Sequence, residues 1–455
     1  MKLWLDRAFG VSASGSTVRT ELRAGLTTFL TMAYILFVNP HILGQAIRVP
    51  NATAQILAAT ALAAAAGSIL MGVVSRYPFA VAPGMGLDAY FAFTLVLGQG
   101  IPWQSALGAV FVVGLIFVVL SQGGIRQAIL SSLPPNLKYA MTAGIGLFLA
   151  FIGLQKAGLV VAHPVTLVTL GKLHQAGPLL ALFGLIVTAT LLQRRVPAAI
   201  LAGILATTGL ALLLHAPVFE GPDGALGPFA GLGGAPVRLP VWPRDLFLKL
   251  DLRGVFQPSM VGPLFTLLFV AIFDTAGTLI GLSAKAGFLD ERGELPRAGS
   301  AFTCDALGSS LGALLGTSTT TAYIESAAGI EEGGRTGLTA VVVGLCFLAA
   351  TCLWPLLALV PGVATAPALI LVGAMMISNL RLIEWRDYSE TVPVFLTVVG
   401  MPLTYSIANG VSLGVISYVL LKLFTGGAAE RKQTLRPVLV AVAVLLALRF
   451  AFLTS

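Results

Sequence analysis

Four acidic residues lie inside long apolar stretches of the sequence: Asp88, Asp274, Asp305 and Glu325. On insertion scales an acid at the centre of a bilayer costs about 2.5–3.5 kcal/mol, so such residues normally face a polar cavity and serve a function. Asp274 and Glu325 are therefore the first candidates for a binding site, and Asp88 is the third. Asp305 is surrounded by small residues, and we expect neighbouring hydroxyls or helix ends to satisfy it.

Two of these acids belong to segments whose composition disfavours a continuous helix. The third apolar segment reads Ala82-Pro83-Gly84-Met85-Gly86-Leu87-Asp88-Ala89-Tyr90-Phe91, and its Pro removes a backbone donor. The tenth reads Gly316-Thr317-Ser318-Thr319-Thr320-Thr321-Ala322-Tyr323-Ile324-Glu325-Ser326, a β-branched run that favours an extended piece. Unwound backbone at membrane depth is tolerated only beside protein or a water-filled cavity. We therefore expect the two extended pieces to face each other, each leading into a half-helix whose N–H groups reach a polar site.

The eighth apolar segment carries the remaining candidate acid in Phe273-Asp274-Thr275-Ala276-Gly277-Thr278. Asp274 and Thr278 are four residues apart, so a helix places both on one face. Gly277 and Gly281 have the same spacing, and we expect them to let another helix approach closely.

The composition places these motifs in a membrane protein. The 455 residues are 57% hydrophobic and 10% charged, against about 25% charged in soluble domains. The net charge of +8 comes from bases in short loops, so membrane topology explains it better than nucleic-acid binding. Cys304, Cys346 and Cys352 are expected to be small buried apolar residues. The histidines lack metal-ligand spacing, no Lys-Ser or Lys-Thr follows a phosphate-binding Gly-rich loop, and we predict no cleavable signal peptide.

Hydropathy predicts fourteen transmembrane segments and hence an all-α polytopic fold with short extended pieces in segments 3 and 10. The segments are 24–43, 55–74, 79–97, 105–120, 139–155, 177–192, 196–214, 259–282, 299–315, 317–330, 338–359, 366–380, 391–407 and 411–423. Seven segments per half is an odd number, which turns the second half upside down and predicts 7+7 inverted repeats. Val112-Val113-Gly114-Leu115 before Phe117 recurs as Val342-Val343-Gly344-Leu345 before Phe347, in the fourth segment of each half.

Most Lys and Arg residues fall in one alternate set of loops, which predicts a cytoplasmic N-terminus. The Gly/Pro-rich linker after segment 7 is then external. Within it, Val241–Phe256 alternates apolar residues with charges, and we predict an amphipathic helix resting on the outer membrane surface, with a disordered loop as the alternative. A last apolar stretch, Val438–Leu453, either spans the bilayer or lies on it.

At its motifs the chain resembles the AzgA-like purine permeases of the xanthine/uracil permease superfamily. The resemblance covers nearly the whole chain and is strongest in four strings, Glu21–Ile35, Ala82–Phe91, Phe273–Thr278 and Thr317–Gly329. It implies a symporter of the cell (inner or plasma) membrane, not an enzyme, that imports adenine, guanine or hypoxanthine with protons by an elevator-like movement. The proton gradient replaces any cofactor, and the partners are the purine, protons and the lipid bilayer, with no nucleic acid.

The same resemblance implies a core domain that moves against a gate domain. It gives a cytoplasmic tail at 1–23, core parts at 24–122 and 258–360, and gate parts at 136–214 and 361–425. The external linker occupies 215–257 and a C-terminal region with an extra apolar helix occupies 426–455. A homodimer through the gate domain is compatible with this division.

The resemblance places the family's two site acids at Asp274 and Glu325, and either one is a candidate for proton coupling. A carboxyl in an apolar setting can take up a proton near neutral pH. Asp88 stands where the family usually has Asn. Besides these acids, we expect Thr278, Thr321, the Ile324 backbone and Gly86 to orient the purine, and Phe273 or Tyr90 to stack on it. No metal site is expected.

Three other classes of protein share some of these features. An anion transporter of the same inverted-repeat architecture would need a cationic site, but segments 3, 8 and 10 contain no Lys or Arg. An intramembrane enzyme can use paired acids, but the sequence offers neither a Gly-Asp protease-like pair nor a Ser/His constellation. A channel would not need paired broken segments. The purine permease interpretation is therefore favoured.

Overall fold

The computed structural model describes residues 6, 8–121, 134–219, 238–290, 295–357, 359–425, 435 and 437–452. In that part of the chain, nine helices are long and apolar enough to cross a membrane, and further apolar helices are shorter. The prediction of a helical, polytopic membrane protein is confirmed. Each predicted apolar segment coincides with one or two helices or, in the third and tenth, with a strand and a short helix.

The helices and strands follow in chain order. The first half contains α1 Val18–Met32, α2 Ile35–Leu43, α3 Ala52–Leu70, β1 Val81–Pro83, α4 Met85–Ala89, α5 Trp103–Ser121, α6 Pro135–Lys156, β2 Val160–His163, β3 Leu167–Leu170, α7 Ala176–Gln193 and α8 Ala199–Leu213. The second half contains α9 Leu252–Val255, α10 Val261–Ala286, α11 Ala298–Leu315, β4 Thr320–Ala322, α12 Ser326–Glu331, α13 Gly337–Ala350, α14 Trp354–Leu357, α15 Gly362–Ile377, α16 Tyr388–Leu403, α17 Ile407–Thr425 and α18 Pro437–Phe452. π-Helical turns, with hydrogen bonds between residues five apart, extend α3 to Ser75 and α4 to Gly98.

The first helix begins inside the predicted N-terminal tail. The Thr17 side chain accepts a hydrogen bond of 3.1 Å from the Thr20 N–H and caps α1. The helix therefore starts at Val18, six positions before Ala24, where the first predicted segment begins. α1 then ends at Met32 and α2 resumes at Ile35, so the first segment is kinked rather than straight. The kink leaves Tyr34 between the two helices, with its side chain fully buried.

The helices pack in two groups. In one group α3 contacts α11 and α13, α5 contacts α11, and α1 contacts α12 and α13. In the other group α6 contacts α15 and α16, α7 contacts α8 and α15, and α16 contacts α17. Contacts between the groups are sparse and include α4 with α6 and α2 with α15. The broken segments therefore lie in the first group, next to its boundary with the second.

The recurring Val-Val-Gly-Leu string has the same packing role in both halves. A side-chain carbon on Gly114 of α5 would meet Ser310 of α11, and one on Gly344 of α13 would meet Ile69 of α3. Each glycine thus permits a close crossing between the fourth segment of one half and the second segment of the other. The repetition in sequence corresponds to a repetition in structure.

The linker differs from its prediction. Within Val241–Phe256 only α9 is helical, and the preceding described residues form turns that bond to helix ends. Leu248 N–H donates to the Leu314 carbonyl (2.8 Å), Asp251 N–H donates to the Gln104 carbonyl (2.9 Å), and Leu246 is fully buried. The predicted amphipathic helix is wrong because Pro243 interrupts the segment and these tertiary bonds satisfy its backbone. The exposed hairpin formed by β2 and β3 was not predicted.

Candidate functional site

The site begins with two strands that replace helix in the middle of the bundle. β1 and β4 pair antiparallel, with Val81 opposite Ala322 and Pro83 opposite Thr320. Two more backbone bonds extend the pairing, from Gly84 N–H to the Thr319 carbonyl and from Tyr323 N–H to the Ala80 carbonyl, both at 2.9 Å. The prediction that the extended pieces of segments 3 and 10 face each other is confirmed. The pairing satisfies backbone groups that could not remain unpaired at membrane depth.

Glu325 lies immediately after β4, at the start of α12, and is partly exposed. Its Oε1 accepts a hydrogen bond of 2.5 Å from the Tyr34 hydroxyl. Tyr34 reaches it from the kink between α1 and α2, so the first segment positions the acid of the tenth. A carboxylate has about four lone-pair positions, and one donor leaves the rest able to accept N–H groups from a ligand.

Asp274 lies on α10 and is also partly exposed. Its carboxyl group interacts with the Thr321 hydroxyl of β4, so the eighth and tenth segments meet at this residue. Asp274 and Glu325 are thus two partly exposed acids, one in contact with β4 and the other three residues after it. That they form one binding site stays a prediction.

Asp305 of α11 holds β4 in place. Its Oδ1 accepts from the Ala322 N–H at 2.7 Å, and its Oδ2 accepts from the Thr275 hydroxyl at 2.6 Å. Asp305 is only 1% exposed. The expectation that neighbouring groups satisfy this acid is confirmed, since both oxygens have donors. It therefore stabilises the broken segment instead of facing a ligand.

Asp88 lies in the first turn of α4 and is fully buried. Among the described residues neither of its carboxyl oxygens has a hydrogen-bond partner of normal geometry. The Ser318 hydroxyl interacts with it electrostatically, without reaching such geometry. A neutral carboxylic acid occupies such a position at much lower cost than a charged one. Its burial distinguishes it from Asp274 and Glu325.

Two tyrosines were missed when the site was predicted from sequence. Tyr323 directly follows β4, and its hydroxyl donates to the Pro83 carbonyl of β1 at 2.5 Å. It interacts electrostatically with Glu325, Asp88 and Asp274, so it lies among three of the acids. The available signal was the alternation of an extended segment, which puts Tyr323 on the same side as Glu325. Nothing in the sequence indicated the contact that Tyr34 makes.

The other predicted site residues differ in accessibility. Ile324 is 52% exposed, Thr278 and Gly86 are partly exposed, and Thr321 is buried between Thr275 and Asp274. Phe273 is 9% exposed and meets Phe269 edge to face, whereas Tyr90 is fully buried. Between these two rings, Phe273 is the better placed to contact a ligand. The roles of all these residues stay predictions.

The two glycines of α10 differ from expectation. A side-chain carbon on Gly277 would meet no described atom within 4 Å, and one on Gly281 would meet Ile324 at 4.0 Å. No described helix approaches closely at this point, so the predicted packing is wrong. Gly277, Gly281 and Ile324 are instead exposed together beside Asp274 and Glu325. The glycines leave the approach to the acids open because they carry no side chains.

Comparisons with known proteins agree with this architecture. Residues 19–413 match the profile of the xanthine/uracil permeases, described as "Permease family". A putative permease of Methanocaldococcus jannaschii is 43% identical over 99% of both chains. The guanine/hypoxanthine permease PbuG of Bacillus subtilis is 46% identical over 96% of this chain and 98% of its own. The adenine permease AdeP of Escherichia coli is 42% identical over 99% of this chain and 97% of its own.

Solved structures share the fold at low sequence identity. The transmembrane domain of a cyanobacterial bicarbonate transporter, BicA, superposes with a TM-score of 0.62 at 16% identity, covering 86% of this chain and 97% of that one. The murine anion transporter Slc26a9 gives a TM-score of 0.62 at 11% identity, covering 93% and 72%. At these identities the similarity concerns the fold alone.

Proposed function

Because the chain belongs to the xanthine/uracil permease family, we propose that it imports purine nucleobases, namely adenine, guanine or hypoxanthine. The observation that carries this proposal is the pair of accessible acids, Asp274 and Glu325, beside the paired strands. The names of the adenine and guanine/hypoxanthine permeases to which the chain is similar support it.

The chemistry of the site suits a flat, nearly neutral ring with N–H groups on its edge. Each accessible carboxylate accepts N–H groups, and the Tyr34 hydroxyl holds the Glu325 carboxyl in one orientation. Thr278, Thr321 and the backbone at Ile324 and Gly86 orient the ring, and Phe273 packs against its face. The nearly buried Phe273 loses little conformational freedom on binding because Phe269 already holds it.

We also propose that transport is symport with protons, carried by Asp274 or Glu325. Both acids are partly exposed, so either can exchange a proton when the purine binds or leaves. Asp305 is excluded from this role because its two oxygens are engaged in the structural bonds to Ala322 and Thr275.

The movement we propose is an elevator-like displacement of a core domain against a gate domain, within fourteen segments arranged as 7+7 inverted repeats. The two helix groups, with few contacts between them, support the division at 24–122, 258–360 for the core and 136–214, 361–425 for the gate. The matching crossings at Gly114 and Gly344 support the repeat. The excess of bases on one side supports a cytoplasmic N-terminus in the cell membrane.

An anion transporter is the second candidate, and one observation favours it. Lys138 Nζ of α6 lies 6.0 Å from the Phe273 ring centroid, which brings a cation near the site. The two partly exposed carboxylates, Asp274 and Glu325, oppose an anion, since they would repel it. The purine proposal therefore has priority.

Uptake into cells that lack their own purine permeases tests the proposal. Labelled adenine and hypoxanthine should accumulate, unlabelled purines should compete, and a protonophore should collapse the accumulation. Bicarbonate and sulfate serve as competing anions. Competition by the anions but by no purine would defeat the purine proposal, and accumulation that survives the protonophore would defeat proton coupling.

A further inference from the structure

A cavity at one end of the helix bundle is lined by three arginines. It has a volume of about 470 Å³, and Arg76, Arg297 and Arg335 surround it together with Phe9, Tyr77 and Phe288. Cavities of this size hold small molecules. It lies where α3 ends, α11 begins and α13 begins, on the side of the bundle that the proposed topology assigns to the cytoplasm.

The guanidinium groups have no acidic partners within the described residues: the four ion pairs found there involve other bases. Nη1 of Arg335 is buried and lacks a hydrogen-bond partner in the same part of the chain. Four described acids of the adjoining segments have partners other than these guanidinium groups: Glu21 accepts from the Arg335 and Thr336 N–H groups and the Thr339 hydroxyl, Glu332 pairs with Arg23, Glu331 with Lys285, and Asp6 accepts from Ser12. The described lining of the cavity therefore carries three arginines and no acid.

Two of the arginines hold backbone conformations that suit glycine better. Arg76 has φ of 60° and Arg297 has φ of 55°, and both stand at helix ends. A non-glycine residue in this region costs about 1–2 kcal/mol. Seven other described non-glycine residues share this conformation, so here it sets the direction of the two side chains and is not itself a sign of function.

Aromatic rings give the cavity an apolar wall. The Arg297 guanidinium lies 5.0 Å from the centroid of the Tyr77 ring, which fixes its orientation. The Phe288 ring is 5.5 Å from the Tyr77 ring, and the Tyr77 hydroxyl donates to the Pro296 carbonyl. A planar fork of donors next to an aromatic wall recognises phosphate oxygens on one side and a ring or acyl group on the other.

We propose that this cavity binds a phosphate ester group, carried by a small molecule such as a nucleotide or by an anionic lipid headgroup. Arg76, Arg297 and Arg335 bind the phosphate oxygens, and Tyr77 and Phe288 contact the remainder of the ligand. Binding here is separate from the transport site, so it does not depend on which compound the protein transports.

Binding to the purified full-length protein in nanodiscs of neutral lipid tests this proposal. The probes are inorganic phosphate and AMP, with adenosine as the uncharged match, and saturating adenine is present throughout to occupy the transport site. AMP should bind saturably and at least tenfold more tightly than adenosine, phosphate should displace it, and added salt should weaken it. In the lipid arm, phosphatidylglycerol replaces part of the neutral lipid and retained lipid is counted by native mass spectrometry.

The double variant Arg297→Gln/Arg335→Gln should lower the affinity of the successful probe at least tenfold. Arg194→Gln, which removes an exposed arginine outside the cavity, is the matched control and should bind like the parent protein. Arg335→Lys keeps the charge and should bind with intermediate affinity. If the parent protein binds none of phosphate, AMP and phosphatidylglycerol saturably, or the double variant binds as the parent does, the proposal is overturned. Normal purine uptake alongside that result would leave the proposed transport function intact.

Discussion

The Tyr34 hydroxyl donates a hydrogen bond of 2.5 Å to Oε1 of Glu325, and this bond joins the kinked first segment to the broken tenth segment. The tyrosine is fully buried, whereas the carboxyl group is partly exposed. One face of the acid is thereby fixed by the protein and the other is left for a ligand. The proposed purine site depends on that asymmetry.

Replacing Tyr34 by Phe should weaken purine binding while the fold is retained. A hydrogen bond to a charged group contributes about 1.5–3 kcal/mol, so we expect KM for uptake to rise about 10–100-fold. Kinetics of labelled purine uptake at matched protein levels measure the effect. Tyr388→Phe, at a residue that is 80% exposed, is the control. An unchanged KM in Tyr34→Phe would contradict the role given to this bond.

Asp305→Ala should lower the thermal stability of the folded protein. The substitution leaves the Ala322 N–H and the Thr275 hydroxyl without their acceptor, and each buried unsatisfied group costs about 1–3 kcal/mol. The melting temperature in detergent should fall by several degrees, more than for Thr275→Val, which removes one donor. A variant with the parent melting temperature but no transport would show that Asp305 acts at the site instead.

Asp88→Asn should leave transport nearly unchanged. The acid is fully buried without a hydrogen-bond partner of normal geometry among the described residues, and a neutral amide of the same shape fits such a place as well as a neutral acid. We expect uptake rates within about threefold of the parent protein, a change of under about 1 kcal/mol. Loss of proton-driven accumulation in this variant would instead assign the coupling proton to Asp88.

Asp251, which lies outside the membrane segments, should make the stability of the linker depend on pH. The Ser105 hydroxyl lowers the pKa of the Asp251 carboxyl, and the N–H groups of Arg253 and Gly254 act in the same direction. A carboxyl with a lowered folded-state pKa stabilises the protein above its unfolded pKa of about 3.9 and loses that contribution as the pH falls further. Asp251→Asn should therefore melt below the parent at pH 7 and approach it at pH 3. A difference independent of pH would contradict this account.

The sequence predicted the paired strands and the two accessible acids because their signals are local. Pro83 with its glycines and the threonine run before Glu325 each disfavour helix, and an intramembrane acid is conspicuous by itself. The contacts of Tyr34 and Tyr323 could not be predicted, since they join residues far apart in the chain. The prediction of a helix in the linker was wrong for the same reason. Contacts with distant helix ends, and not the local alternation of apolar and charged residues, determine the positions of Leu246 and Asp251.

The most direct test of the purine site is uptake by Glu325→Gln and Asp274→Asn, measured against Glu384→Gln, an exposed acid outside the site. Each variant is expressed at matched levels, and accumulation of labelled adenine and hypoxanthine is followed with and without a protonophore. We predict that both site variants lose accumulation above the external concentration while Glu384→Gln keeps it. Proton-driven accumulation at the parent level in both site variants would contradict the account.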